Sequence, residues 1–80
     1  MLTAESVKTY IESALPCEHV QVEGDAGRHF EALIVSAQFV GKNTVQQHQM
    51  VYKSLGDRMK QEIHALSMKT LTPEQWAHRS

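Results

Sequence analysis

Ile63-His64-Ala65-Leu66-Ser67-Met68-Lys69-Thr70-Leu71-Thr72-Pro73-Glu74-Gln75-Trp76 is the stretch that decides the fold. It predicts a strand over 64–70, a sharp turn and a capped helix. Side chains alternate with period two along a strand, so His64, Leu66 and Met68 share a face. Leu66 and Met68 belong against a core. Thr72 supplies the cap, Pro73 the first helical position and Gln75 the third residue beyond the cap, a strong helix start. Trp76 is expected to fold back onto the body. A histidine at the mouth of such a strand sits on a packed scaffold. The residues alone leave two roles open to His64: an oriented metal ligand, or an ordinary half-buried imidazole bonded to a backbone carbonyl.

Upstream, Thr3 caps a helix starting at Ala4, whose apolar stripe is Val7, Tyr10, Ile11, Ala14 and Leu15; Pro16 stops it. His19-Val20-Gln21-Val22-Glu23 alternates as a half-buried strand. Gly24-Asp25-Ala26-Gly27-Arg28 supplies turn chemistry. A strand over 30–36 follows, with apolar residues on both faces, which predicts a central position in the sheet. Residues 37–42 connect to a longer helix capped by Asn43 or Thr44, with Val45, His48, Val51, Tyr52, Leu55 and Met59 as its inner face. Gly56-Asp57 is a candidate break into a second helical piece. The order is α-β-β-α-(α)-β-α, an α+β domain with helices on one face of a three-stranded sheet. Residues 1–80 read as one domain, without repeat or linker.

Composition narrows the function. A chain of 80 residues buries roughly 60–65% of its unfolded surface, too little for a deep enclosed active site. Net charge is −1, so no global basic field draws the protein to nucleic acid. No apolar run approaches ~18 residues, and a membrane role is not expected. The single cysteine, Cys17, forbids an internal disulfide and suits a reducing compartment; without a basic-then-apolar leader the expected location is cytoplasmic. No nucleophile–base–acid arrangement or phosphate-cradling glycine loop is present, so an enzyme is not expected.

Five histidines are many for this length, and imidazole both titrates near neutrality and binds metals. His29 closes the glycine-containing turn, either as a second imidazole ligand or as a locally bonded loop histidine. Cys17 offers a thiolate, the better iron ligand, or simply packs at a helix end. His48 reads as a helix histidine covering the edge of the core. His19 and His78 read as exposed. No two histidines have the i, i+4 spacing of a helical zinc pair. Lys42, Asn43, Thr44 and Lys53, with Arg58 and Lys60, form a modest phosphate-contacting region around a helix N-terminus, or ordinary solvated charge.

Ile63-His64-Ala65-Leu66-Ser67 with Lys69 and Thr72-Pro73-Glu74-Gln75-Trp76 resembles the end of the BolA family. Arg28-His29-Phe30 and the stretch from Phe39 to Tyr52 are similar to its second strand and its long helix with the preceding turn. The resemblance covers nearly the whole chain, and the Trp-containing tail is most similar to the IbaG branch. It implies a BolA-like fold, similar to type II KH domains. It also implies a small adaptor that pairs with a monothiol glutaredoxin and co-ligates a bridging [2Fe–2S] cluster. The glutaredoxin cysteine and a glutathione thiol hold one side, and the free chain alone binds no cluster. His64 corresponds to the family's C-terminal histidine ligand. Some members carry the second ligand near the position of Ala26; here no His or Cys stands between Gly24 and Arg28, which leaves His29. When free, the chain is expected to be a monomer or weak homodimer. The family also implies a competing reading, a transcriptional regulator contacting DNA through the KH-like helix. The turn here is Gly41-Lys42-Asn43-Thr44, which lacks the second glycine of a KH Gly-x-x-Gly loop.

Overall fold

The structure, a computed structural model, describes residues 3–25, 29–56 and 65–79. Helix α1 spans Ala4–Ala14, strand β1 His19–Asp25, strand β2 His29–Val35, helix α2 Thr44–Leu55, strand β3 Ala65–Leu71 and helix α3 Pro73–Ala77, with a single 3-10 turn at Ala37–Phe39. The predicted second helical piece, with Met59, falls outside the described residues.

β2 is the central strand, as its two-sided apolar pattern predicts: the order is β1-β2-β3. β1 pairs with it antiparallel and β3 parallel, which makes the sheet mixed. Parallel pairing requires a crossover, and α2 lies within it. Val20, Phe30, Ala32 and Ile34 face the core, with Leu66 and Met68 packed against it as the period-two reading requires. Val7 and Ile11 of α1, Leu15 at its C-cap, Phe39, and Val51 and Leu55 of α2 close that core over one face of the sheet.

The caps follow the sequence. Thr3 accepts from the Ser6 N–H at the start of α1. Asn43, rather than Thr44, caps α2, and both Asn43–Gln46 and Thr72–Gln75 form complete capping boxes. Each satisfies two backbone donors that would otherwise lack partners. α2 ends at Leu55, where Gly56 takes a positive φ of 60°.

Several expectations are corrected. Gly24 and Asp25 belong to β1, paired with Phe30 and His29. A Cβ on Gly24 would lie 2.5 Å from the His29 carbonyl oxygen and 2.6 Å from Phe30 Cδ1, so the strand continues there only because residue 24 has no side chain. β2 starts at His29 and stops before Ser36. Ser36 is fully buried, donating its hydroxyl to the Pro16 carbonyl and accepting from the Gln38 N–H to cap the 3-10 turn. β3 extends to Leu71. Ala14 of the predicted α1 stripe is exposed.

The inner face of α2 is also rotated. Val45 is 64% exposed and Tyr52 41%, whereas Gln47, Val51 and Leu55 are buried. The buried row repeats every four residues from a glutamine, which an apolar-only count passes over. Helices do not all stack on one side either. His19 alternates with core-facing Val20, and the Trp76 ring of α3 stacks on His19, with centroids 4.7 Å apart and planes at 17°. Trp76 therefore folds back, onto the outer face. Val35, fully buried yet outside the main core, lies between His19 and Leu71 in register there.

Candidate functional site

His29 opens β2 and is exposed. Phe30 beside it is buried in the core, so alternation turns His29 to the outer face. Its register partners are Asp25 on β1 and Ala65 on β3. At Gly24 the β1 backbone approaches the His29 carbonyl so closely that a side chain there would clash.

His64, the first predicted ligand, lies outside the described residues. Ala65, the residue that follows it, stands opposite His29 in the parallel ladder. One peptide bond joins the two residues, a Cα–Cα step of about 3.8 Å. His29 is thus the first residue of β2, and His64 immediately precedes the first residue of β3 in sequence.

Among the described residues no three His, Cys, Asp or Glu side chains come together to hold a metal. One exposed imidazole is too small a donor set for an iron–sulfur centre. These residues fit such a group only as part of a shared site, with thiolates brought by another molecule.

Cys17 is not at this end. The following residue, Glu18, donates its N–H to the Val35 carbonyl at 2.8 Å, at the opposite end of β2 from His29. Its thiol donates to the Leu15 carbonyl at 3.1 Å. Desolvation by burial, with the Glu12 carboxylate adding to it, pushes the thiol up to about 11. A protonated thiol bonded to a backbone carbonyl suits the packing role, and its position keeps it away from His29. His48 is half-buried on α2 and His78 is the exposed C-cap of α3. His19, expected to be exposed, is half-buried beneath Trp76.

The basic region is only partly assembled. Lys42, Asn43, Thr44 and Lys53 are all exposed. Asn43, however, spends its side-chain oxygen on the Gln46 N–H at 2.8 Å, and its own N–H on Gln46 Oε1 at 3.0 Å. The helix N-terminus therefore satisfies part of its own donor set, which reduces what it offers a phosphate. Lys42 precedes the N-cap of α2 and Lys53 lies in its last turn, with about 14 Å of helix from Thr44 to Lys53 between them at 1.5 Å per residue. Arg58 and Lys60 fall outside the described residues.

Sequence reasoning passed over Gln47. Only 8% exposed, it donates through Nε2 to the Lys42 carbonyl at 2.8 Å and the Phe39 carbonyl at 3.3 Å, and accepts from Thr70 Oγ1 at 2.6 Å. It ties the turn that carries Lys42 to β3. Counting back in fours from Leu55 and Val51 is the signal that finds it. No described helix is long and apolar enough to cross a membrane.

The family model described as BolA-like protein matches residues 1–75. The chain is 44% identical over 80 residues to Protein BOLA2 of Arabidopsis thaliana, covering 95% of this chain and 85% of that one. It is 44% identical over 48 residues to the DNA-binding transcriptional regulator BolA of Haemophilus influenzae, covering 60% of this chain and 47% of the relative. A BolA homologue structure from Coxiella burnetii superposes with a TM-score of 0.88 at 40% identity, covering 98% of this chain and all of the other. The mixed three-stranded sheet, the crossover helix and the capped C-terminal helix are accordingly those of the BolA-like family, to which this chain belongs.

Proposed function

We propose that this protein is an adaptor in iron–sulfur homeostasis that binds a monothiol glutaredoxin and co-ligates a bridging [2Fe–2S] cluster through His64 and His29. The support is the parallel register: His29 pairs with Ala65, the neighbour of His64, at one end of the sheet, and because the sequence alternation assigns the two imidazoles to opposite faces, a shared cluster would have to sit around that end. The thiol ligands, from the glutaredoxin cysteine and glutathione, rest on the family resemblance. An exposed His29 can meet a partner's surface, whereas a donor set this small requires one. Such a cluster would supply electron storage. Replacing thiolate by neutral imidazole makes it less negative and raises its potential.

Imidazole protonation competes with metal binding, so acid should weaken the shared site. The test is co-expression with the host's monothiol glutaredoxin, a visible spectrum of the purified pair, and its titration from about pH 8 to 5.5. Loss of the cluster bands towards the acid end is expected. A spectrum unchanged across the range contradicts histidine ligation. Full affinity for the apo-glutaredoxin, unaffected by iron, points instead to an adaptor in which no metal matters.

A second reading is DNA contact through Lys42, Thr44 and Lys53, favoured by the name of the Haemophilus influenzae relative. Net charge −1 and the self-capped α2 weigh against strong nonspecific affinity. The two readings separate by substitution. His64→Ala loses the cluster and keeps any DNA binding. Lys42→Ala with Lys53→Ala does the reverse and lowers the salt dependence by about two phosphate contacts.

A further inference from the structure

The C-terminal helix is held to the outer face of the sheet by a stack whose lowest ring is half-buried, with one nitrogen sealed from solvent and unmet. His19 Nε2 is inaccessible to solvent and has no hydrogen-bond partner. Trp76 lies parallel over the imidazole, and the Arg79 guanidinium carbon sits 3.5 Å from the centre of the same indole. At those separations the imidazole and the guanidinium cannot share one face of the ring, so the indole is sandwiched between them. α3 has five residues and none is buried, which leaves it little else to hold it in place.

A neutral imidazole tolerates this site, because its second nitrogen can carry the single proton and leave Nε2 as an unused acceptor. A protonated ring cannot. It places a charged N–H where no acceptor and no water reach it, at a cost larger than that of a neutral unmet group. It also sets a second positive charge across one indole from Arg79. Release of α3 removes both penalties, since the freed ring is solvated. We propose that His19 and Trp76 form a proton-operated latch: protonation of His19 releases α3 from the outer face of the sheet while the core stays folded.

The surrounding charges are few. Glu18 precedes His19 and is exposed. α3 contributes Glu74 in its first turn, His78 at its cap and Arg79; β3 contributes Lys69, one pleat from Leu71. The facing β2 residue, Val35, carries no charge. None of these groups has a hydrogen bond to Nε2. His78, the exposed C-cap of α3, is also ionisable and needs its own control. The latch lies at the 19–35–71 end of the sheet, remote from His29, and stands independently of the proposed cluster site.

Trp76 is the only tryptophan, so it reports the latch directly. Acrylamide quenching of its fluorescence is followed from about pH 8 to 5, alongside methyl NMR signals of Val7, Ile11 and Ile34. The expected result is a rise of about twofold or more in the quenching constant, complete before the core signals change, retained in His78→Asn and abolished in His19→Phe, which keeps a ring under the indole. A flat quenching constant overturns the proposal. So does an identical transition in His19→Phe, or loss of emission without increased access, which would mean that the charged ring stays stacked. A rise that coincides with loss of the core signals overturns it as well, because global unfolding then explains the exposure.

Discussion

Thr70 Oγ1 donates to Gln47 Oε1 at 2.6 Å, and this bond joins β3 to the first turns of α2. Because Gln47 also holds the Phe39 and Lys42 carbonyls, the side chain is a three-way tie between a strand, a helix and the turn before it. Gln47→Leu leaves these groups without their partner, each an unmet polar group in a largely closed site. A loss of about 1–3 kcal/mol is expected. Thr70→Val should cost less, about 1 kcal/mol, because only one acceptor loses its donor. Urea unfolding at constant m-value measures both, and the double variant should fall short of the sum.

Gly24 is required by close approach rather than by an unusual φ. Gly24→Ala forces either the His29 carbonyl or the Phe30 ring to move, and the former is backbone. Destabilisation of about 1–3 kcal/mol is expected, in the range of overpacking. Amide shift changes should be largest for residues 23–25 and 29–31. A silent Gly24→Ala would show that the two strands are not pressed together at this end.

Cys17 should be unreactive at neutral pH. With its thiol pushed up to about 11, alkylation by iodoacetamide should stay slow through pH 8 and accelerate only as the pH approaches that value. The linkage has a definite sign. Above the unfolded value of 9.0 the unfolded chain has released this proton while the folded chain keeps it, so stability falls as pH rises from about 9 to 11. Cys17→Ala should remove that slope and leave any cluster with glutaredoxin intact.

The two capping boxes should differ in consequence. Asn43→Ala is expected to cost about 1 kcal/mol of global stability, because α2 contributes buried Val51 and Leu55 to the core. Thr72→Ala removes the same kind of cap from a helix with no buried residue. It should change Trp76 fluorescence more than the unfolding midpoint.

The strand alternation at Val20 and Val22, the two-sided pattern of β2 and the Thr72-Pro73-Glu74-Gln75 start were legible because local chemistry and tertiary packing agree there. The phase of α2 was not. Val45 and Tyr52 look like core residues by hydropathy but stand on the outside, while a glutamine takes the inner position because backbone carbonyls and Thr70 satisfy its amide. The burial of His19 was hidden for a related reason: what covers it comes from Trp76, 57 positions away in sequence. Of the candidate ligands, His29 stood at the end of a turn, where the sequence left its direction open; its place as the first residue of β2 turns it outward. Its pairing with Ala65 required the parallel register, which no local pattern specifies.

The most direct test is pulsed EPR on the reduced complex formed from this protein, labelled with 15N-histidine, and an unlabelled monothiol glutaredoxin. The account predicts 15N couplings to the cluster that are lost in His64→Ala and reduced in His29→Ala. A cluster that forms with the pair yet shows no labelled nitrogen in its ligand sphere contradicts it.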